Sequence, residues 1–225
     1  VARGTLLALT TVLFFYALKF LPIADAIAIF FVEPLILTVL SAVFLGEAIG
    51  WRRVAAVLVG LGGAMLIVRP TFADVGWAAV LPLLAGTCFA AYLLLTRKLV
   101  GHTDPIRMQF YAGIAGAVVM SLVLVVGHAL EIEAIALAVP TAWQWGLLLM
   151  LGVIATVGHL MVTHAFRLAP AGVLAPFQYV EIIGASVLGF LVFGDLPDAL
   201  TWLGIAIIVG SGLYVFHRER VRGIA

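Results

Sequence analysis

The chain has 225 residues, of which 65% are hydrophobic and 10% charged. Ordinary soluble domains are about half apolar and about a quarter charged, so this composition excludes a soluble globular core and points to lipid as the solvent. A net charge of +1 with dispersed basic residues gives no footing for nucleic acid, and the single cysteine, Cys88, rules out an internal disulfide or a multi-cysteine metal site.

Eight apolar stretches follow one another, near 4–20, 23–45, 51–68, 76–96, 106–127, 143–166, 171–194 and 199–216. A hydrocarbon core about 30 Å thick takes roughly 20 helical residues at 1.5 Å each. The runs are uniformly apolar rather than alternating, so they predict helices and not strands. Gly60, Gly62, Pro82, Gly113, Gly116, Pro176 and Gly210 inside them are compatible with membrane helices, which tolerate both residue types. The first run leads straight into another span without a small-residue cleavage region, unlike a secretory signal. The expected fold is therefore an all-α membrane protein of about eight transmembrane helices.

If the spans alternate in direction, Arg3, Arg52, Arg53, Arg97, Lys98, Arg107, Arg167, Arg218, Arg220 and Arg222 share one face, and only Lys19 and Arg69 fall on the other. The positive-inside rule makes the first face cytoplasmic and places both termini there. Asp25, Asp74, Glu131, Glu133, Asp195 and Asp198 fall on the opposite side.

An internal repeat organises the chain. With an offset of 148 residues, Ala17 meets Ala165, Lys19 meets Arg167, Pro22 meets Pro170, Glu33 meets Glu181, Gly46 meets Gly194, Glu47 meets Asp195 and Gly62 meets Gly210. Equivalent helices are five spans apart, so the two copies run in opposite senses across the membrane. Inverted repeats characterise transporters, in which exchanging the conformations of two similar halves alternates access to a site between them.

These features, with Leu45-Gly46-Glu47, the run from Phe30 to Leu35, the stretch from Pro176 to Asp198 and the closing run Gly212 to Arg220, resemble the EamA-type carriers of the drug/metabolite transporter superfamily. The resemblance covers essentially the whole chain. It implies two inverted five-helix repeats, ten helices in the complete family fold. Residues 1–70 would then be the C-terminal three helices of the first repeat and 71–225 a complete second repeat. The first two helices would be lacking, roughly 70–80 residues on the 148-residue offset. The implied activity is a secondary transporter, a permease or exporter that moves a small organic metabolite or drug across the bacterial inner membrane by alternating access. No cofactor is implied. The expected partners are a small-molecule substrate and the lipid bilayer, with a homodimer as an open alternative to a monomer and no nucleic acid.

Ionisable groups at membrane depth are candidate functional groups, since a charged acid costs about 2.5–3.5 kcal/mol there. Glu33 and Glu181 occupy the same position in the two copies, near the centres of their spans. They are candidates for substrate contact or proton coupling; neutral acids bonded to a neighbouring helix are the structural alternative. Pro34 and Pro176 each remove a helical hydrogen bond and should kink their spans, freeing the carbonyls of Phe30 and Gly172. Thr156, His159 and Thr163, at spacings of three and four, form a polar stripe expected to face the bundle interior. Gln178, Tyr179, Tyr92 and Tyr16 complete the expected cavity set, while Glu47 and the loop arginines are read as helix caps. An intramembrane enzyme is the alternative function: Gly184-Ala185-Ser186 with several histidines is faintly similar to a rhomboid-type serine protease. A following glycine, an HExxH motif and a Walker loop are all missing, however, so the chain is not expected to be an enzyme. A non-transporting scaffold or lipid-handling subunit is the other alternative.

Overall fold

The computed structural model describes residues 1–21, 23–47, 50–68, 76–131, 139–193 and 198–221. Among the described residues ten α-helices run in the order α1 (Ala2–Ala17), α2 (Ile23–Phe30), α3 (Glu33–Leu45), α4 (Trp51–Val68), α5 (Val80–Leu99), α6 (Pro105–Ala129), α7 (Ala142–Leu168), α8 (Ala171–Leu174), α9 (Val180–Phe193) and α10 (Ala199–Val221). Short 3₁₀ turns at Gly76–Ala79 and Ala175–Tyr179 lead into α5 and join α8 to α9. The α2–α3 pair and the α8–α9 pair are each one broken span, so eight apolar segments result, at the places the hydropathy pattern sets them. Four of these, Ala26–Leu45, Gly76–Leu99, Pro105–Ala129 and Ala142–Leu168, are by themselves long and apolar enough to cross a membrane. The other four apolar helices are shorter within the described residues.

Local chemistry sets the helix ends. Asp104 caps α6, accepting from the backbone N–H of Ile106 at 3.0 Å and of Arg107 at 3.1 Å, with Pro105 at the first helical position, where its missing N–H costs nothing. Thr141 and Gln144 form a reciprocal capping box at the start of α7. Gly46 closes α3 in the left-handed conformation, φ 66°, which a glycine adopts without strain. The Gly194-Asp195 turn, the repeat mate of Gly46-Glu47, lies outside the described residues, as do Pro22, Arg69 to Val75, Glu133 and Arg222.

Packing follows membrane rules. Lipid is as apolar as leucine, so helices are held by close van der Waals fit rather than by water exclusion. One such close seam joins α4 to α10. A Cβ on Gly63 would lie 2.9 Å from the Gly204 carbonyl oxygen, and one on Gly204 would lie 2.7 Å from that of Gly63. Gly60 faces Ser211 and Gly63 faces Ile208, so numbers rise along one helix as they fall along the other. The two helices are antiparallel, and they are repeat mates: adding 148 to Gly60 gives Ile208, and adding 148 to Gly63 gives Ser211. The contact Gly60–Ser211 therefore maps onto Gly63–Ile208, as a two-fold relation between inverted copies requires. Leu122, Val125, Leu149 and Leu151 on α6 and α7 are exposed, which suits lipid-facing surfaces.

Because the seam leaves no room for a side chain, Gly63→Val and Gly204→Val should each destabilise the protein. Overpacking at such sites costs about 1–3 kcal/mol, so purified variants should melt several degrees lower than the wild type, whereas Gly62→Ala, with nothing within 4 Å of its added carbon, should melt unchanged.

Candidate functional site

Both middle spans break at equivalent points. In the first, α2 ends at Phe30 and α3 restarts at Glu33, with Pro34 in its first turn. In the second, the 3₁₀ turn Ala175–Tyr179 begins beside Pro176 and α9 starts at Val180. Pro34 and Pro176 each lie within the first turn that follows or opens the break. A broken helix in hydrocarbon must find partners for its loose carbonyls. Here Tyr179, fully buried, donates its hydroxyl to the carbonyl of Phe31 at 3.2 Å, with the two rings 5.8 Å apart. Phe31 and Tyr179 are themselves repeat mates, so the contact lies where the two copies meet. The Phe30 carbonyl is packed against α5 at Gly86, where a Cβ would come within 3.0 Å of its oxygen.

Around this junction the two equivalent acids have different surroundings. Glu33 is 2% exposed and receives one long hydrogen bond, 3.5 Å, from the Gln178 side-chain amide. Glu181 is exposed and lines two cavities. One, about 520 Å³, is walled by Thr10, Thr11, Phe14, Phe30, Phe31 and Ile182; the other, about 330 Å³, by Phe89, Leu93, Phe166, Phe177 and Gln178. Each is large enough for a small organic molecule and mostly apolar, with a few polar groups to orient it.

The remaining candidates sort into other places. Tyr92 is fully buried and hydrogen-bonds His159 Nδ1 at 3.0 Å, the two rings meeting edge to face. Thr163 is fully buried and donates to the His159 carbonyl at 2.8 Å. His159, Tyr92 and Thr163 therefore form one cluster towards the end of the bundle and do not line the Glu181 cavities. Thr156 departs from the expected inward stripe: it is exposed, bonds the Gly152 carbonyl within its own helix and borders a groove between α6 and α7. The stripe turns outward because α7 has few neighbours over its N-terminal half, where most residues are exposed. Tyr16 is also exposed, edge-on to Phe20 at 5.4 Å, and is not among the cavity-lining residues.

Two features go further than the sequence reading, which has Arg3 as a loop charge and Glu47 as a cap of unspecified partner. Arg3, counted among the loop charges of the positive face, is 4% exposed and points into the bundle. Its Nε donates to Thr96 Oγ1 at 2.8 Å, and its Nη2 to Tyr92 Oη at 2.6 Å, Gln109 Oε1 at 3.2 Å and Thr163 Oγ1 at 3.4 Å. The signal available was its place one residue inside a helix, before Gly4, where a Cβ would lie 2.8 Å from Ala115 of α6. The second feature is a clasp at the same end of the bundle. Glu47 accepts from the backbone N–H groups of Ala171 and Gly172, each at 3.1 Å, so it caps a helix of the other copy. Arg97 pairs with Glu47 at 3.3 Å and donates to the Phe166 carbonyl.

Antiparallel repeat mates, paired broken helices and cavities around a membrane-depth acid are together the anatomy of a multi-pass secondary transporter. Residues 2–69 and 76–216 match the EamA-like transporter family, and the chain belongs to it. It is 31% identical to a riboflavin transporter of Rhizobium johnstonii over 98% of this chain and 70% of that one. It is 28% identical to an S-adenosylmethionine uptake transporter of Rickettsia bellii, over 98% of this chain and 72% of that one. Against a pseudopaline exporter of Pseudomonas aeruginosa the identity is 32%, over 92% of this chain and 70% of that one. A solved crystal structure, 18% identical, shares the fold with a TM-score of 0.81 over 98% of this chain and 76% of that one.

Tyr179→Phe should test the junction. It leaves the ring packing and removes one buried hydrogen bond, stranding the Phe31 carbonyl, at a cost of about 1–3 kcal/mol. The variant should express and melt lower than wild type, with no change in the Arg97–Glu47 clasp, which cross-linking across that pair can report.

Proposed function

We propose that the protein carries a small organic metabolite across the bacterial inner membrane by alternating access, with the solute held beside Glu181 between the two copies. The observation that carries this reading is that Glu181 borders both cavities, while its mate Glu33 is sealed against Gln178. One acid is then presented to solute or water, and the other is covered. Exchange of the two conformations would reverse these roles, as inverted copies allow. Residues 1–70 and 71–225 act as the two units that exchange; their boundary lies outside the described residues. Both termini face the cytoplasm in this reading, as the distribution of basic residues favours.

A charged acid left unpaired at this depth is expensive, so Glu181 is suited to taking up a proton when its cavity closes and releasing it when water enters. Gln178 assists by holding Glu33, and Pro34 and Pro176 set the two breaks. The protein acts without a cofactor and is not an enzyme in this reading. The relatives differ both in solute and in direction, one named for uptake and another for export. Riboflavin and S-adenosylmethionine are accordingly the first solutes to try.

The test is flux in proteoliposomes of the full-length protein. Glu181→Gln keeps size and hydrogen-bonding capacity but cannot ionise. It should express normally, lose the pH dependence of flux and reduce the rate about tenfold or more, the effect of removing one charge-assisted contact. Unchanged rate and pH profile would make Glu181 a structural residue only. Orientation is tested separately: in a Cys88→Ala background, Lys98→Cys and Glu131→Cys should be labelled from opposite sides of the membrane, and labelling from one side would overturn the topology.

A further inference from the structure

Arg3 is a buried cation with only neutral oxygen partners among the described residues. Its Nε and Nη2 are spent on Thr96, Tyr92, Gln109 and Thr163, and its guanidinium also lies 4.7 Å from the centre of the Tyr92 ring. Its Nη1, buried, has no hydrogen-bond partner among the described residues. An arginine near a helix end can ordinarily extend its charge to the membrane surface. This one is instead aimed inward, on oxygens from three helices, α5, α6 and α7, that hold the planar fork in one orientation with one edge unused. A guanidinium so held matches a carboxylate or phosphate oxygen in shape and charge.

Its place in the bundle connects it with the solute path. Arg3 and Thr10 are seven residues apart and share a face of α1, about 10 Å apart along the axis. Thr10 lines the larger Glu181 cavity. Phe89, which lines the smaller one, stacks on Tyr92 at 5.6 Å between ring centres. The repeat does not account for the charge: the residue 148 positions on is Leu151, exposed on α7. A basic group present in one copy and absent from the other is not needed by the shared scaffold.

We propose that Arg3 is an oxyanion-binding subsite that receives a carboxylate or phosphate group of the transported solute as the bundle opens around Nη1. The assignment rests on the transporter reading above and adds a substrate class to it: a solute bearing an oxyanion.

The experiment is thermal unfolding of the full-length protein in neutral-detergent micelles, with sodium acetate or sodium phosphate compared with sodium chloride at equal ionic strength. Acetate or phosphate should raise the melting temperature of the wild type by a few degrees over chloride. Arg3→Gln, which keeps donors for the neutral oxygens and removes the uncompensated charge, should lose that rise and melt no lower than wild type in chloride. Arg3→Lys should retain part of the rise; should Arg3→Gln fail to fold, the wild-type rise and its reduction in Arg3→Lys decide the matter. Absence of any oxyanion effect on the wild type, or an undiminished effect in the Arg3 variants, overturns the proposal and leaves Arg3 as a tie between helices. Phosphatidylglycerol added to the micelles tests the other source of a phosphate: an Arg3-dependent rise with that lipid alone, and none with acetate or phosphate, also overturns it. Glu181→Gln should keep the oxyanion effect whatever it does to transport, so failure of this proposal is distinguishable from failure of the transport reading.

Discussion

Every backbone group within the hydrocarbon must be satisfied by the protein itself, and the centre of this bundle is arranged around that constraint. Two spans are broken where Pro34 and Pro176 remove N–H groups, and each break leaves carbonyls without helical partners. Tyr179 closes one of them by donating to Phe31, its own counterpart in the other copy. The first break is therefore supported from the other copy, and the cavities form beside it. Gly86 beside Phe30, and the Gly63–Gly204 seam beyond, let the neighbouring backbones come close enough to complete the enclosure.

The same symmetry that builds the site is departed from in its chemistry. Glu33 and Glu181 stand at one repeat position, yet one is sealed and the other borders both cavities. Two inverted copies occupying identical conformations would leave both acids equally covered and give the solute no preferred side. The inequality is the structural counterpart of a carrier stopped in one of its states. The Glu47–Arg97 clasp adds to it, since a carboxylate of one copy caps a helix of the other at 3.1 Å and so ties the copies together at that end.

Much of this was legible in the sequence because membrane spans are long, uniform signals. Apolar runs set all eight segments, and the offset of 148 residues pairs α4 with α10 and Glu33 with Glu181 from the sequence alone. Pro34 and Pro176 lie beside the two breaks, as residues without an N–H to donate. What pattern alone did not resolve was rotation and depth. Spacing put Thr156, His159 and Thr163 on one face, but only packing shows that the face passes from the interior at Thr163 to an exposed groove at Thr156. Tyr16, in the last turn of α1, likewise faces outward. Arg3 was read as a loop charge because a basic residue at a span end normally reaches for water. The neutral oxygens that draw it inward come from helices 89 to 160 residues away in sequence, and no local signal announces them.

The central claim is that one cavity beside Glu181 is reached alternately from the two sides of the membrane. The most direct measurement places a single cysteine at Thr11, on the wall of the larger cavity, in a Cys88→Ala background of the full-length protein. A membrane-impermeant thiol reagent is then applied to sealed vesicles from inside or from outside. The account predicts that Thr11→Cys reacts from both sides and that a transported solute slows both reactions. Reaction from one side alone, unaffected by solute, would contradict it.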